Sequence, residues 1–587
     1  MVRAWLAALL LTLTMGFIWW LITPPWTAPD EPGHYLFARL FADLGRTPTR
    51  ADSNAGIEAS VIASLAATNW WEYEDRPAPQ PLPERLTDDA VLAASGVQIQ
   101  DEPSLFYIPP AQLLRWLDVR GIIDPAQALH WLRLWPFSLR LIAVIATLFL
   151  SRHTWPDRPD RALGLGVLVG ITPMVEFIGG SFNNAALALA WGAVVFTLLA
   201  TASSRWSWFL AMAVVVAGPL LVDKSLLFLW PLTLFWALLQ IQRLRDYRLP
   251  MLTGFIILVV LLLVPNPRWA AGWEPYPVLT RNRSAENNLH LDGDQMRLTQ
   301  IIAGKSVLAL RGQMIVLEAN YWGEAGSVLN LNVADGQQTQ QQSCEVSSQQ
   351  QRCELPFVLD QQAFGIRVQA TLGDHAHPQV TGDIHLRLHL LDDSGRDLLY
   401  NGDGRFASPL GSPLFAWLER RLPIPNGFFA RALSPAAWNA PALFRYLLFA
   451  GFTWASFWGY FGWLSRPLPW WSYALLAGFM LLAAWGLFQW GMAAIRRQRR
   501  RQISRTDRLL TLSLLAVLLI LVQVWTPMLG HAWQPQGRYL FSALLPISVI
   551  LYLGCENALP LRWRSYLIPS LILGLAGLNI LSWIIVA

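Results

Sequence analysis

The chain has 587 residues, 54% hydrophobic and only 14% charged, with 31 tryptophans, a mean hydropathy of +0.35 and a formal net charge of +5. A soluble chain carries roughly a quarter charged residues, so a soluble globular class is excluded. The basic excess lies in short segments between apolar runs, where it sets membrane orientation, and so argues against nucleic acid as a partner.

In chain order, the first apolar run (about 4–23) exceeds a signal-peptide core and ends in Trp19-Trp20, so it predicts a retained signal-anchor helix. With the N-terminus inside, PPWTAPDEPGH lies outside, opening a long outer loop over 24–130. A second span (131–150) returns to basic SRHTWPDRPDR. Spans at 161–179 and 183–202 follow, joined by GGSFNN on the outer side. Two more, at 206–222 and 225–241, lead to basic QRLRDYR, and 250–265 crosses out again. RRQRRR at 496–501 is placed inside by its charge. That leaves one crossing at 469–492, with 442–464 re-entrant or interfacial. Spans at 508–526, 539–557 and 564–585 complete about eleven transmembrane helices. On this path PDEPGH and PQGRY face one compartment, and basic ENALPLRWRS faces the other.

The domain pattern is a membrane module over 1–265, an extracytoplasmic segment over 266–440 and a second membrane module over 441–587. Within the middle segment, about 310–395, Ile384, Leu386, Leu388 and Leu390 alternate with His385, Arg387 and His389; Ile366, Val368, Ala370 and Leu372 alternate likewise. Such period-two patterning predicts half-buried antiparallel strands and a small extracytoplasmic β-sandwich. Cys344 and Cys353 stand close together there, and a disulfide between them fits an oxidising compartment. Cys555 reads as a core thiol.

Several polar groups allow chemistry. Asp30 either caps a helix over Glu31–Leu44 or, with Glu31, presents a carboxylate at the membrane surface, as a general base or a metal ligand. Glu102 precedes SLFYIPPAQLL, which contains Tyr107, and reads first as part of a solvated turn. Glu72, Glu74 and Asp75 in WWEYED read as a solvated loop, or with their aromatics as a sugar-stacking wall. Lys224 and Arg538 stand at outer span boundaries, where basic side chains either snorkel or hold a phosphate. Four histidines (375, 377, 385 and 389) raise a metal site, but strand alternation accounts for two of them.

Taken together, PDEPGH, DEPSLFYIPPAQLL, ITPMVEFIGGSFNNAAL, the boundary Lys224, SFWGYFGWLSRPLP and PQGRYLFSALLP resemble, in order, a bacterial membrane family catalogued as domain of unknown function two-one-four-two. That family is similar to the GT-C superfamily of polytopic glycosyltransferases. The resemblance spans the chain apart from the β segment. It implies an inverting glycosyltransferase that draws sugar from a polyprenyl-phosphate donor and passes it to an extracytoplasmic glycan, lipid or protein acceptor. Asp30 is then the base, with Glu31 also in the catalytic pair. His34, Glu102 and Tyr107 orient the acceptor; Arg538, Lys224, Gln536 and Tyr539 bind the donor phosphate. No cofactor is required by this reading, and a divalent metal is left open, since no acidic metal-binding set of the oligosaccharyltransferase kind is present. One departure stands out: the tip carries Asn183-Asn184 where an Asn-Asp pair is expected. The implied location is the bacterial inner membrane, with the site facing the periplasm. The rival classes are a flippase or transporter, for which Glu176 is the suggestive intramembrane charge, and a polysaccharide polymerase or ligase.

Overall fold

The computed structural model describes residues 1–48, 52, 54–86, 92, 104–240, 289–291, 297–303, 310–335, 338–361, 363, 365–372, 384–399, 440–499, 504–529 and 535–587. The expected span at 250–265, Glu102, and the histidines at 375 and 377 lie outside the described residues.

The N-terminal half comprises α1 (Val2–Ile22), α2 (Glu31–Leu44), α3 (Ala55–Ala67), α4 (Trp70–Tyr73), α5 (Ile108–Val119), α6 (Pro125–Leu132), α7 (Leu134–Thr154), α8 (Pro159–Gly170), α9 (Pro173–Gly179), α10 (Ala185–Thr201), α11 (Arg205–Leu221) and α12 (Leu229–Gln240). The C-terminal part adds α13 (Ala440–Gly459), α14 (Trp470–Arg499), α15 (Arg505–Leu529), α16 (Leu544–Ala558) and α17 (Arg564–Val586). Among the described residues, 6 helices are long and apolar enough to cross a membrane, or 7 if the α8–α9 pair, bent by 59°, is one span. The expectation of about eleven spans is therefore corrected. Hydropathy counts apolar runs, whereas a 17-residue helix such as α10 rises only about 25 Å, short of ~30 Å of hydrocarbon. Pro173 breaks the 161–179 run, and Asn579 of α17 donates to the Ile171 carbonyl at that break (2.8 Å).

Polar contacts gather at two ends of the helical bundle. At one end, Arg158 and Arg161 hold Glu556, Arg497 holds Asp507, and Trp155 donates to Thr506. At the other end, the turn after α1, the α9–α10 tip, the α11–α12 junction and the 3-10 turn Gly537–Ala543 meet. Between the two, Arg140 pairs with Glu176, both side chains fully buried, and Arg140 also donates to the Thr12 carbonyl (2.8 Å).

The β region holds two four-stranded antiparallel sheets. With β1 (Leu289–Leu291), β2 (Arg297–Ala303), β3 (Met314–Gly323), β4 (Val328–Ala334), β5 (Thr339–Glu345), β6 (Gln351–Val358), β7 (Gly365–Leu372) and β8 (Ile384–Leu391), the orders are β1-β8-β3-β6 and β2-β7-β4-β5. The alternation read from sequence is the burial pattern: Ile384, Leu386, Leu388 and Leu390 are buried, as are Ile366, Val368, Ala370 and Leu372. Both sheets feed one apolar cluster. The Cys344–Cys353 disulfide forms and ties β5 to β6, the edge strands of the two sheets. His389 pairs with Asp397 (2.8 Å) and His385 stacks on Trp322.

Candidate active site

The site is built where α1 ends. Thr23 closes the last turn through its amide and hydroxyl, both to the Trp19 carbonyl (3.0 and 2.7 Å). Asp30 then takes a left-handed conformation (φ +66°), unusual for a residue with a side chain, before α2 starts with Pro32 in its first turn. Asp30 occupies the cap position, yet its side chain makes no cap bond; only its carbonyl accepts, from the His34 amide (2.9 Å). The helix-cap reading of the carboxylate is thus corrected. Instead the carboxylate pairs with the Arg538 guanidinium, whose second arm donates to the Pro29 carbonyl (3.3 Å). These two residues are 508 positions apart in sequence.

Glu31 is differently employed. Its two oxygens take a parallel fork from Arg133 (Nε–Oε1 and Nη2–Oε2 both 2.8 Å), and Oε1 also accepts the Phe182 amide (2.8 Å). Arg133 further donates to the Thr23 and Pro24 carbonyls. Both side chains are buried to within 1%. Such a bidentate, fully enclosed pair keeps Glu31 away from a substrate hydroxyl, and it fixes the Pro29-Asp30 turn.

The GGSFNN tip stitches the neighbouring turns together. Asn183 donates to the Pro29 carbonyl (3.0 Å) and accepts the Ala185 amide (2.9 Å). Asn184 donates to Asp223 (3.2 Å), whose other oxygen caps the short Lys224–Leu226 turn through the Ser225 amide (2.6 Å). Two asparagines therefore serve here as donors, a role that a carboxylate in either place could not fill. Lys224 itself is exposed, within electrostatic reach of Tyr539. Its turn is held by Gln523 of α15, whose amide donates to the Lys224 carbonyl (2.9 Å) and accepts the Phe228 amide (2.7 Å).

His34, one turn into α2, is buried beside Phe106, Phe182 and Tyr107, and its Nδ1 meets the Tyr107 hydroxyl at 2.7 Å. Burial pushes its imidazole down to about 3, against the opposing pull of Asp30, so it is neutral near pH 7. Tyr107 is buried as well.

On the opposite wall, Gly537 packs its Cα directly on the Phe457 backbone, where any side chain would collide, and its amide donates to Ser456 (2.8 Å). Gln536 caps the 3-10 turn, and its Oε1 is buried with no hydrogen-bond partner among the described residues. Tyr539 follows Arg538 and is half-buried. Directly beside this turn lies a cavity of about 210 Å³, walled by Phe449, Trp454 and Phe457 of α13, Ile520 and Val524 of α15, and Leu540.

Glu74 completes the surroundings. Although WWEYED reads as a solvated loop, Glu74 is buried and accepts the Trp463 amide with both oxygens (3.3 Å). Trp463 belongs to the FGWLSRP hairpin, formed by β9 (Tyr460–Phe461) and β10 (Arg466–Pro467), and Arg466 donates to the Tyr73 carbonyl (2.9 Å). Burial pushes the Glu74 carboxyl up to about 7, with Ser465 and the Trp463 amide pulling the other way.

The structure therefore brings Asp30, Arg538, Tyr539, His34 and Lys224 to one place and sets Glu31 behind it. Residues the sequence reading did not single out are Arg133, Asp223, Ser456 and Gln523. Gln523 had a signal: an amide within an apolar run is costly unless bonded. Among the described residues no group of three or more potential ligands stands where it could hold a metal ion. Comparison with protein-family models, curated proteins and solved structures finds no match to this chain.

Proposed function

We propose that the chain is a membrane glycosyltransferase of the GT-C type, moving a sugar from a polyprenyl-phosphate donor to an extracytoplasmic glycan, lipid or protein acceptor. The observation that carries this reading is one juxtaposition. A carboxylate from the first outer loop and a guanidinium from the last third of the chain meet, and an apolar cavity reaches the same 3-10 turn at Leu540, two residues from Arg538. An acid–base pair next to a lipid-compatible chamber suits a substrate with a phosphate head and a hydrocarbon tail.

In this mechanism Asp30 takes the proton from the acceptor hydroxyl. The acceptor oxygen bonds to the anomeric carbon from the face opposite the phosphate, and configuration inverts. The bond from that carbon to the phosphate oxygen breaks, its electron pair staying on the phosphate. Arg538 and Lys224 stabilise the charge that grows there. Neutral His34, held by Tyr107, orients the acceptor. The resemblance read in the motifs implies the same assignment, although no family model matches the chain.

The two four-stranded sheets are read as an extracytoplasmic β region. The chain is read as lying in the bacterial inner membrane with the Asp30 end facing the periplasm, a reading supported by Arg158, Arg161, Arg497 and Arg505 at the opposite end. The disulfide agrees with that side for the β region. A transporter reading would lean on Arg140 and Glu176, but these are tied to each other and to the Thr12 carbonyl.

The test is to supply membranes containing the chain with polyprenyl-phosphate sugars. Sugar should leave the lipid and reappear on an acceptor with inverted anomeric configuration. Movement of intact lipid-linked sugar across the bilayer, with no carbon–oxygen cleavage, would contradict the assignment.

A further inference from the structure

Two demands on Arg538 conflict. As a phosphate ligand it must offer its fork to the donor, and as the partner of Asp30 it occupies the carboxylate that must accept a proton. The structure shows the second arrangement: one arm on Asp30 and the other on the Pro29 carbonyl. The guanidinium is 7% exposed and Asp30 19%, so neither has abundant water to fall back on. The Pro29 carbonyl has a second donor in Asn183, so it keeps a partner if Arg538 leaves. Asp30 is not pinned in the same way. Its side chain makes no bond to the α2 amides, and its left-handed backbone is held independently by the neighbouring Glu31–Arg133 clamp.

We infer that Arg538 is shared between Asp30 and the donor phosphate, so that donor binding uncovers the base. Resting on the function proposed above, this fixes the order of events: donor first, acceptor second. Before a donor arrives, the Asp30 oxygen that faces Arg538 is occupied and an acceptor hydroxyl finds no competent base. The donor phosphodiester, whose two non-bridging oxygens match the guanidinium fork, draws the fork to itself, Lys224 adds a point charge, and the hold strengthens as the departing sugar leaves a second charge on the phosphate. The acceptor then meets an unoccupied carboxylate. The phosphate and Asp30 are thus negatively coupled through one residue, and coupling of this kind is reciprocal.

The measurement is the affinity of the detergent-solubilised full chain for farnesyl phosphate, with farnesol as the control lacking phosphate. It is made in wild type, Asp30→Asn, Arg538→Gln and the double variant. Wild type should bind farnesyl phosphate more tightly than farnesol. Neutralising the competitor in Asp30→Asn should tighten binding about tenfold, within the range usual for coupled sites. Arg538→Gln should weaken it about tenfold, and in that background Asp30→Asn should change it less than about twofold. If Arg538→Gln does not fold, Arg538→Lys replaces it, and the gain from Asp30→Asn should shrink there because a lysine has no fork to divide. An equal gain from Asp30→Asn in both backgrounds would mean simple charge repulsion and overturn the sharing, leaving the phosphate site intact. Equal binding of farnesol and farnesyl phosphate by wild type would overturn the phosphate site and the sharing together.

Discussion

Asp30 and Glu31 are adjacent carboxylates with opposite surroundings, and that difference sets what each does when altered. Glu31 shares a buried fork with Arg133, so Glu31→Ala strands a buried guanidinium. Losing one partner of such a pair costs about 3–5 kcal/mol. Thermal unfolding in detergent should show a large drop for Glu31→Ala and a smaller one for Asp30→Asn, whose amide oxygen still accepts from Arg538 while the Pro29 carbonyl holds its other arm. His34 is the third residue of the motif. Its folded-state value of about 3 lies below the ordinary 6.5, so the unfolded chain binds more protons between those values. Its contribution to stability is full above about 6.5 and fades as pH falls towards 3. His34→Gln should flatten that acid limb of the unfolding profile. Asp30 and Arg538 were legible in the sequence because both sit in compact polar motifs at span ends. The division of labour between Asp30 and Glu31 was not, because Arg133 lies 102 positions from Glu31 and nothing local couples them.

The hairpin over 460–467 is fastened at Glu74, and the fastening has a pH sign. Glu74 is raised to about 7 from 4.5, so the folded form favours the protonated carboxyl. Burial of the neutral carboxyl contributes stability that is present below the ordinary value and lost as pH rises through about 7. The charged groups facing it are Arg76 and Arg466. Hydrogen exchange at the Trp463 amide, corrected for intrinsic rates, should lose protection as pH rises from about 4.5 to about 7, and Glu74→Gln should hold it constant. Gly462 at the hairpin turn (φ +61°) brings the backbone within 3.0 Å of the Glu74 carboxylate for any added Cβ, so the turn has no room for a larger residue. Gln523 is a second fastening, between α15 and the Lys224 turn. Gln523→Leu should lower kcat and kcat/KM for the donor together, several-fold, because it frees Lys224, which acts on the charge that grows in the transition state, without touching Asp30. At this scale the strands of the β region were legible from alternation alone. Helix counts were not: apolar runs at 161–179, 183–202 and 206–222 look like full spans, yet a proline break and 17-residue lengths shorten them.

Across the whole molecule, the two polar ends of the bundle are unlike. One is an arginine-rich lattice closed on Glu556 and Asp507; the other gathers turns from four distant parts of the chain around Asp30. That convergence was foreseen only as a shared compartment for PDEPGH and PQGRY. Contact between them depended on Asn183, Asn184 and Gly537, whose packing roles no local pattern announces. The central claim is that this convergence is a catalytic site with Asp30 as its base. Side-by-side turnover of a polyprenyl-phosphate sugar by wild type and Asp30→Asn, at matched folded protein, tests it most directly. Loss of a general base typically removes 10²–10⁴-fold, so transfer should fall at least about a hundredfold while the melting profile drops less than that of Glu31→Ala. Transfer by Asp30→Asn at near wild-type rate would contradict the account.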